Sequence, residues 1–203
     1  MKSSRTLLVG TNNSHKAGEI SAMLADLDVR VVTPRDLDIA DEPVENGATF
    51  EENARIKARF YAEASGLPCL ADDSGLVVDA LGGRPGVYSS RYAPTDPERI
   101  ARLLGELEGV SDAERAARFV CAAALVISDA QSRIEIVKTG TCEGRIAQGP
   151  RGENGFGYDP IFYQADLGKT LAEIPAEVKN ARSHRGRALQ AMRPDLENLF
   201  GAA

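Results

Sequence analysis

The sequence predicts an α/β fold built on an elongated mixed β-sheet with helices on both sides. Three observations predict it. Thr6–Val9 is a short apolar run, a helix-period segment follows, and residues 29–32 form a second apolar run, so the chain begins strand, helix, strand. Residues 119–128 are the most apolar stretch and read as a central strand. Residues 134–137 and 141–146 alternate polar and apolar positions in the manner of two further strands.

The elements follow in order. Gly10 ends the first run, and Asn13 or Ser14 is placed to cap a helix carrying Ile20, Met23, Leu24 and Leu27. Thr49 and Glu52 form a capping box for a second helix, which Gly66 and Pro68 stop. Phe50, Ala54, Ala58 and Tyr61 share one face of it. Asn53 and Lys57 fall on that same face, either snorkelling from its edge or lining a site. Cys69-Leu70-Ala71 reads as a short strand ending in Asp72-Asp73-Ser74-Gly75, with Leu76, Val77 and Val78 resuming it. Thr95, Pro97 and Glu98 open a third helix closed by Gly109. A Gly-rich loop spans residues 149–157. The chain ends in a helix through Leu189, Met192, Leu196 and Leu199, which Pro194 interrupts.

Composition narrows the function classes. The 203 residues carry 24 Lys and Arg against 30 Asp and Glu, a net charge of −6. With 43% hydrophobic and 27% charged residues the chain suits a soluble globular protein, one domain or two small lobes. Excess negative charge argues against binding a nucleic-acid backbone or an anionic membrane. No run of 18 apolar residues is present. Met1-Lys2-Ser3-Ser4-Arg5 and the short apolar run after it lack a signal-peptide core. Cys69, Cys121 and Cys142 are odd in number and widely spaced, as expected of buried thiols in a reducing cytoplasm. Two histidines, His15 and His184, are too few for a His-rich zinc site.

Four segments carry chemistry. Gly10-Thr11-Asn12-Asn13-Ser14-His15-Lys16 joins a strand to a helix start, where free N–H groups and the helix dipole favour an anion and Lys16 adds a cation; an ordinary capped turn has the same look. It matches neither a Walker loop nor a dinucleotide fingerprint. Asp72-Asp73 offers a carboxylate for a metal or a water, or else an Asx turn; being adjacent on a strand, the two point to opposite faces. Glu45 is a second carboxylate of that kind, or a solvated loop residue. Gly155-Phe156-Gly157 lets an aromatic meet a flat ligand, or plugs Phe156 into the core. Lys179, Arg182 and Arg185 with His184 make a local basic stretch, for phosphate and carbonyl contacts or simply a solvated helix end.

Thr11-Asn12-Asn13 with Lys16 and Glu19 resembles the N-terminal signature of the ITP/XTP pyrophosphatases, hydrolases of non-canonical purine nucleoside triphosphates. Four more blocks match in order: Thr49-Phe50-Glu51-Glu52-Asn53-Ala54 with Lys57; Ala71-Asp72-Asp73-Ser74-Gly75-Leu76 continuing to Pro85-Gly86-Val87-Tyr88-Ser89; Gly155-Phe156-Gly157-Tyr158-Asp159-Pro160-Ile161-Phe162; and Lys179 with Ser183-His184-Arg185-Gly186. The resemblance implies a single domain over residues 1–203, of two lobes with a central cleft, and a cytoplasmic homodimer. It implies Mg²⁺-dependent hydrolysis between the α- and β-phosphates of ITP, dITP or XTP. Asp73 would be the base and a metal ligand, with Glu45 as second metal ligand and Lys57 as a catalytic cation. Thr11, Asn12, Asn13, Ser14, His15 and Lys16 would bind the triphosphate, with Asn53 beside it and Ser74 also among the substrate-binding residues. Phe156, Gly157, Tyr158, Asp159, Lys179, His184 and Arg185 would hold the base and its 6-oxo group. The alternatives are a non-catalytic nucleotide sensor and a pyrophosphatase for modified pyrimidine nucleotides.

Overall fold

The computed structural model describes residues 5–128 and 132–200. Met1 to Ser4, part of the leader reading above, lie outside it. The elements are β1 (Thr6–Val9), α1 (Ser14–Met23), β2 (Arg30–Val32), α2 (Phe50–Ser65), β3 (Cys69–Val78), α3 (Asp96–Glu106), β4 (Ala116–Ser128), β5 (Arg133–Ile146), β6 (Phe162–Gln164), β7 (Lys169–Thr170), α4 (Ala176–Arg182) and α5 (His184–Phe200). The strands form one seven-stranded mixed sheet in the order β2-β1-β3-β4-β5-β6-β7. β1 pairs in parallel with β2 and β3, Leu8 standing opposite Val32 and Cys69. β6 runs antiparallel to β5 and β7. The α/β reading therefore holds.

The chain divides into two compact units. One takes the chain up to Asp73, then Cys121–Gly140 and the chain from Arg185 on; the other takes Ser74–Val120 and Thr141–His184. In the first unit, alternation along each strand builds two apolar layers. Leu7, Val9, Leu70, Cys121, Ala123 and Leu125 pack with Ile20 and Leu24 near α1 and with Leu189, Met192, Leu196 and Phe200 of α5. Leu8, Cys69, Ala71, Ala122, Ala124 and Val126 face the other way, onto Ala54, Ala58, Tyr61 and Ala62 of α2. The second unit has its own core of Leu76, Val78, Leu103, Leu107, Phe119, Ile146, Ile161 and Phe162, among others.

Several local expectations need correction. Asp72 to Gly75 do not end a strand: β3 runs unbroken for ten residues. Its polar residues are tolerated because charged partners from helices meet them on both faces. β5 is one strand of 14 residues where two were expected. Pro194 does not interrupt the last helix. α5 runs through it, the proline being exposed while Met192, Leu196 and Phe200 stay buried around it. The α2 capping box is half formed. Thr49 Oγ1 accepts from Glu52 N–H, but the Glu52 carboxylate takes Ala48 N–H instead of Thr49 N–H. The basic stretch near residue 180 is no solvated end, since Lys179, His184 and Arg185 are buried.

Gly10 is required by close approach. A Cβ there would lie 2.8 Å from Tyr61 Cδ2 and 2.9 Å from Cys69 Sγ. We expect Gly10→Ala to cost about 1–3 kcal/mol in urea unfolding, the usual range for overpacking. All three cysteines are buried. No helix among the described residues is long and apolar enough to cross a membrane.

Candidate functional site

The site starts from the alternation of β3. Asp72 shares a face with Leu70, toward α1 and α5; Asp73 shares the opposite face with Cys69 and Ala71, toward α2. The two carboxylates therefore meet different partners, as adjacent strand residues must.

On the Asp73 side, α2 supplies Asn53 and Lys57 from its buried stripe. Lys57 Nζ donates to Asp73 Oδ1 at 3.0 Å and to Glu45 Oε2 at 3.1 Å. Asn53 Nδ2 donates to Asp73 Oδ2 at 3.3 Å, and Asn53 Oδ1 accepts from Gly47 N–H at 2.8 Å. Burial raises the Asp73 pKa above the usual carboxylate value, and the neighbouring Lys57 and Lys16 charges only partly oppose it. Burial would lower the Lys57 pKa, yet Asp73, Asp72 and Glu45 together raise it, so Lys57 stays charged.

On the Asp72 side the picture reverses. Asp72 Oδ2 accepts from Arg185 Nη2 at 3.1 Å and Nε at 3.3 Å, and lies 3.3 Å from Lys16 Nζ. Arg185 also pairs with Glu19. Arg185 and Asp72 are each only 2% exposed. Burial alone would raise the Asp72 pKa; the Arg185, Lys16 and Lys57 charges outweigh it and hold the carboxyl well below its ordinary range. One carboxylate is thus fixed as an anion while its neighbour is raised, the separation that distinguishes a structural anion from a proton acceptor.

The loop before α1 leads into this side. Asn12, Asn13, Ser14 and His15 are exposed, and Thr11 and Lys16 half-buried. Asn13 is the N-cap, its Oδ1 accepting from His15 N–H and Lys16 N–H. Its own N–H donates to Thr11 Oγ1, and Asn12 Nδ2 donates to Glu42 Oε1 at 2.6 Å. The helix-start amides that were expected to face an anion are thus largely taken by the cap. The cations Lys16 and Lys57 are the stronger attraction.

The second unit holds the aromatic and basic groups. Asp159 Oδ2 accepts from Lys179 Nζ at 2.5 Å and from Phe156 N–H at 2.9 Å. Lys179 Nζ stands 4.7 Å from the Phe156 ring centroid. Gly157 N–H donates to Asp96, and Tyr158 OH to the Ser89 carbonyl. Gly155 has φ +75°, and a Cβ there would lie 2.1 Å from Asp159 Oδ2, so only glycine fits. His184 stacks on Phe119, centroids 4.7 Å apart at 14°. Ser74 is half-buried within β3. Lys179, Asp159, Phe156, Gly157 and Tyr158 are therefore brought together, whereas the Arg185 guanidinium lies with Asp72 and Glu19.

The family model of the Ham1 family matches residues 7–195. The chain belongs to the Ham1 family. A Geobacillus kaustophilus protein named dITP/XTP pyrophosphatase is 46% identical over 200 residues, 97% of each chain. The structure of a HAM1 protein from Coxiella burnetii superposes with a TM-score of 0.85 at 44% identity, covering 95% of this chain and 98% of that one. A Mycobacterium abscessus structure described as nucleoside-triphosphatase / dITP/XTP pyrophosphatase gives 0.73 at 45% identity, covering 93% and 99%.

Two features of this Ham1-family site escaped the sequence reading. Glu19 stood in the N-terminal signature without a role, and it is a partner of Arg185. Ser89 binds the second unit together: its Oγ accepts from Leu76 N–H and donates to the Gly86 carbonyl, while its own carbonyl accepts from Tyr158. Ser89 likewise stood at the end of the Pro85-Gly86-Val87-Tyr88-Ser89 block without a role, and that block was the signal that could have found it.

Proposed function

We propose that the chain hydrolyses non-canonical purine nucleoside triphosphates (ITP, dITP and XTP) to the nucleoside monophosphate and pyrophosphate, removing them from the nucleotide pool. The observation that carries the reading is the Lys57 ammonium held between Asp73 and Glu45. Two carboxylates converging on one cation suit a metal-bound triphosphate.

The donor set fits Mg²⁺. Asp73 and Glu45 offer hard oxygen ligands, and among the described residues no group of three or more His, Cys, Asp or Glu side chains is placed to hold a metal. Two protein carboxylates with water and phosphate oxygens completing the shell are the usual Mg²⁺ arrangement at phosphate sites. When bound, Mg²⁺ offsets the charge of the triphosphate. Lys57 and Lys16 neutralise phosphate charge, and Thr11, Asn12, Asn13, Ser14 and His15 position the chain of phosphates. Asp73, with its raised pKa, accepts the proton of the attacking water. Ser74 contacts substrate. Lys179, His184, Phe156, Gly157, Tyr158 and Asp159 recognise the base, with donors directed at the 6-oxo group. The 6-amino group of adenine would leave such donors without an acceptor, which rejects it by roughly 10⁴-fold.

The proposal takes the protein as one Ham1-family domain, a cytoplasmic homodimer acting on a free nucleotide and not on nucleic acid. The net charge of −6 disfavours a nucleic-acid partner and the buried thiols suit a reducing compartment, while the homodimer rests on the family resemblance. Phosphorus NMR of the products tests the reaction. ITP should give IMP and pyrophosphate in equal amounts; IDP and orthophosphate would contradict cleavage between the α- and β-phosphates, and binding without turnover would favour the sensor.

A further inference from the structure

We infer that Asn53 is a positioning residue: it ties the Glu45-bearing loop to Asp73 and does not touch the substrate. The inference rests on the metal and base roles proposed for Asp73 and Glu45. Asn53 is 0% exposed. Its amide is engaged at both ends, accepting from Gly47 N–H at 2.8 Å and donating to Asp73 Oδ2 at 3.3 Å. With Lys57 on Oδ1, each Asp73 oxygen then has a partner, which fixes the plane of the carboxylate.

The loop needs such a tie. Residues 39–47 contain no helix or strand. Among the described residues, three side chains outside the loop hydrogen-bond to it: Asn12 at Glu42, Lys57 at Glu45 and Asn53 at Gly47. Asn12 and Lys57 are groups assigned to the triphosphate, so substrate competes for two of the three ties. The tie made by the fully buried Asn53 side chain survives. It also sits at close range: a Cβ on Gly47 would lie 2.7 Å from Asn53 Oδ1 and from Glu52 Cβ. Only an amide suits the position. An aspartate would accept from Gly47 but repel Asp73, and an apolar residue would leave both partners unmet.

The test uses Mn²⁺ as a spectroscopic substitute, its affinity read by electron paramagnetic resonance with α,β-methylene-ITP present. Amide hydrogen exchange of residues 39–48 and the affinity of that analogue in EDTA are measured alongside. Glu45→Gln is the control for the metal reading; unchanged Mn²⁺ affinity in it overturns that reading whatever Asn53 does. Asn53→Ala should weaken Mn²⁺ by about 10–100-fold and speed exchange of the loop, as loss of an orienting partner does. Its metal-free analogue affinity should stay at the wild-type value. Gly47→Ala, which keeps both the Asn53 and Asp73 residues but crowds the Asn53 amide, should do the same, and it carries the test should Asn53→Ala fail to fold. If Asn53→Ala loses metal-free analogue affinity while loop exchange is unchanged, Asn53 is a substrate contact and the inference fails. Wild-type Mn²⁺ affinity and loop exchange in Gly47→Ala also overturn it.

Discussion

Asp73→Asn is expected to lower turnover of ITP by about 10³-fold at saturating Mg²⁺, while the affinity for α,β-methylene-ITP changes little. The substitution keeps the size of the side chain and removes only its charge and basicity. Asp73 is the carboxylate whose pKa burial raises, and it faces Lys57 and, through Lys57, Glu45. In the proposed site the triphosphate would still meet Lys16, Lys57 and the loop at residues 11–16, so binding should survive. Single-turnover rates together with binding of the analogue check both halves. Near wild-type turnover would remove Asp73 from the role of base.

Arg185→Ala is expected to destabilise the protein by about 3–5 kcal/mol, the usual cost of removing one member of a buried ion pair. The guanidinium is 2% exposed and faces both Asp72 and Glu19. Its loss removes the guanidinium from the buried Asp72, with Lys16 Nζ 3.3 Å away. For a chain of this size the melting temperature should fall by roughly 6–20 °C. The double variant Arg185→Ala with Asp72→Asn should recover part of the loss, because the buried negative charge that faced the guanidinium is removed with it. Urea unfolding of the single and double variants measures this. Should Arg185→Ala melt like wild type and lose only its preference for ITP over ATP, Arg185 belongs to base recognition instead.

The contrast between these residues shows what the sequence could carry. Asn53 and Lys57 stood out because helix period placed two polar side chains on the Ala54, Ala58 and Tyr61 stripe, and that stripe is buried. The opposite facing of Asp72 and Asp73 was also legible, since it follows from strand geometry alone. Which partners waited on each face was not. Arg185 lies 113 residues from Asp72, and no local pattern links them. For that reason a stretch rich in Lys179, Arg182 and Arg185 read as one cationic segment. Ser183 separates α4 from α5, and Lys179 pairs with Asp159 while Arg185 pairs with Asp72. Strand ends were misjudged at Asp72 and within β5 for one reason: polar residues look like turns until their tertiary partners are known. Pro194 was overweighted in the same way, because local propensity yields to the burial of Met192, Leu196 and Phe200 on either side.

The central claim is most directly tested by steady-state hydrolysis of ITP, XTP, GTP, dUTP and a modified UTP in one assay, with Mg²⁺ and with EDTA. The expected result is pyrophosphate release from ITP and XTP far above that from the other three, abolished by EDTA. Preferential hydrolysis of the uridine nucleotides, or undiminished turnover of ITP in EDTA, would contradict it.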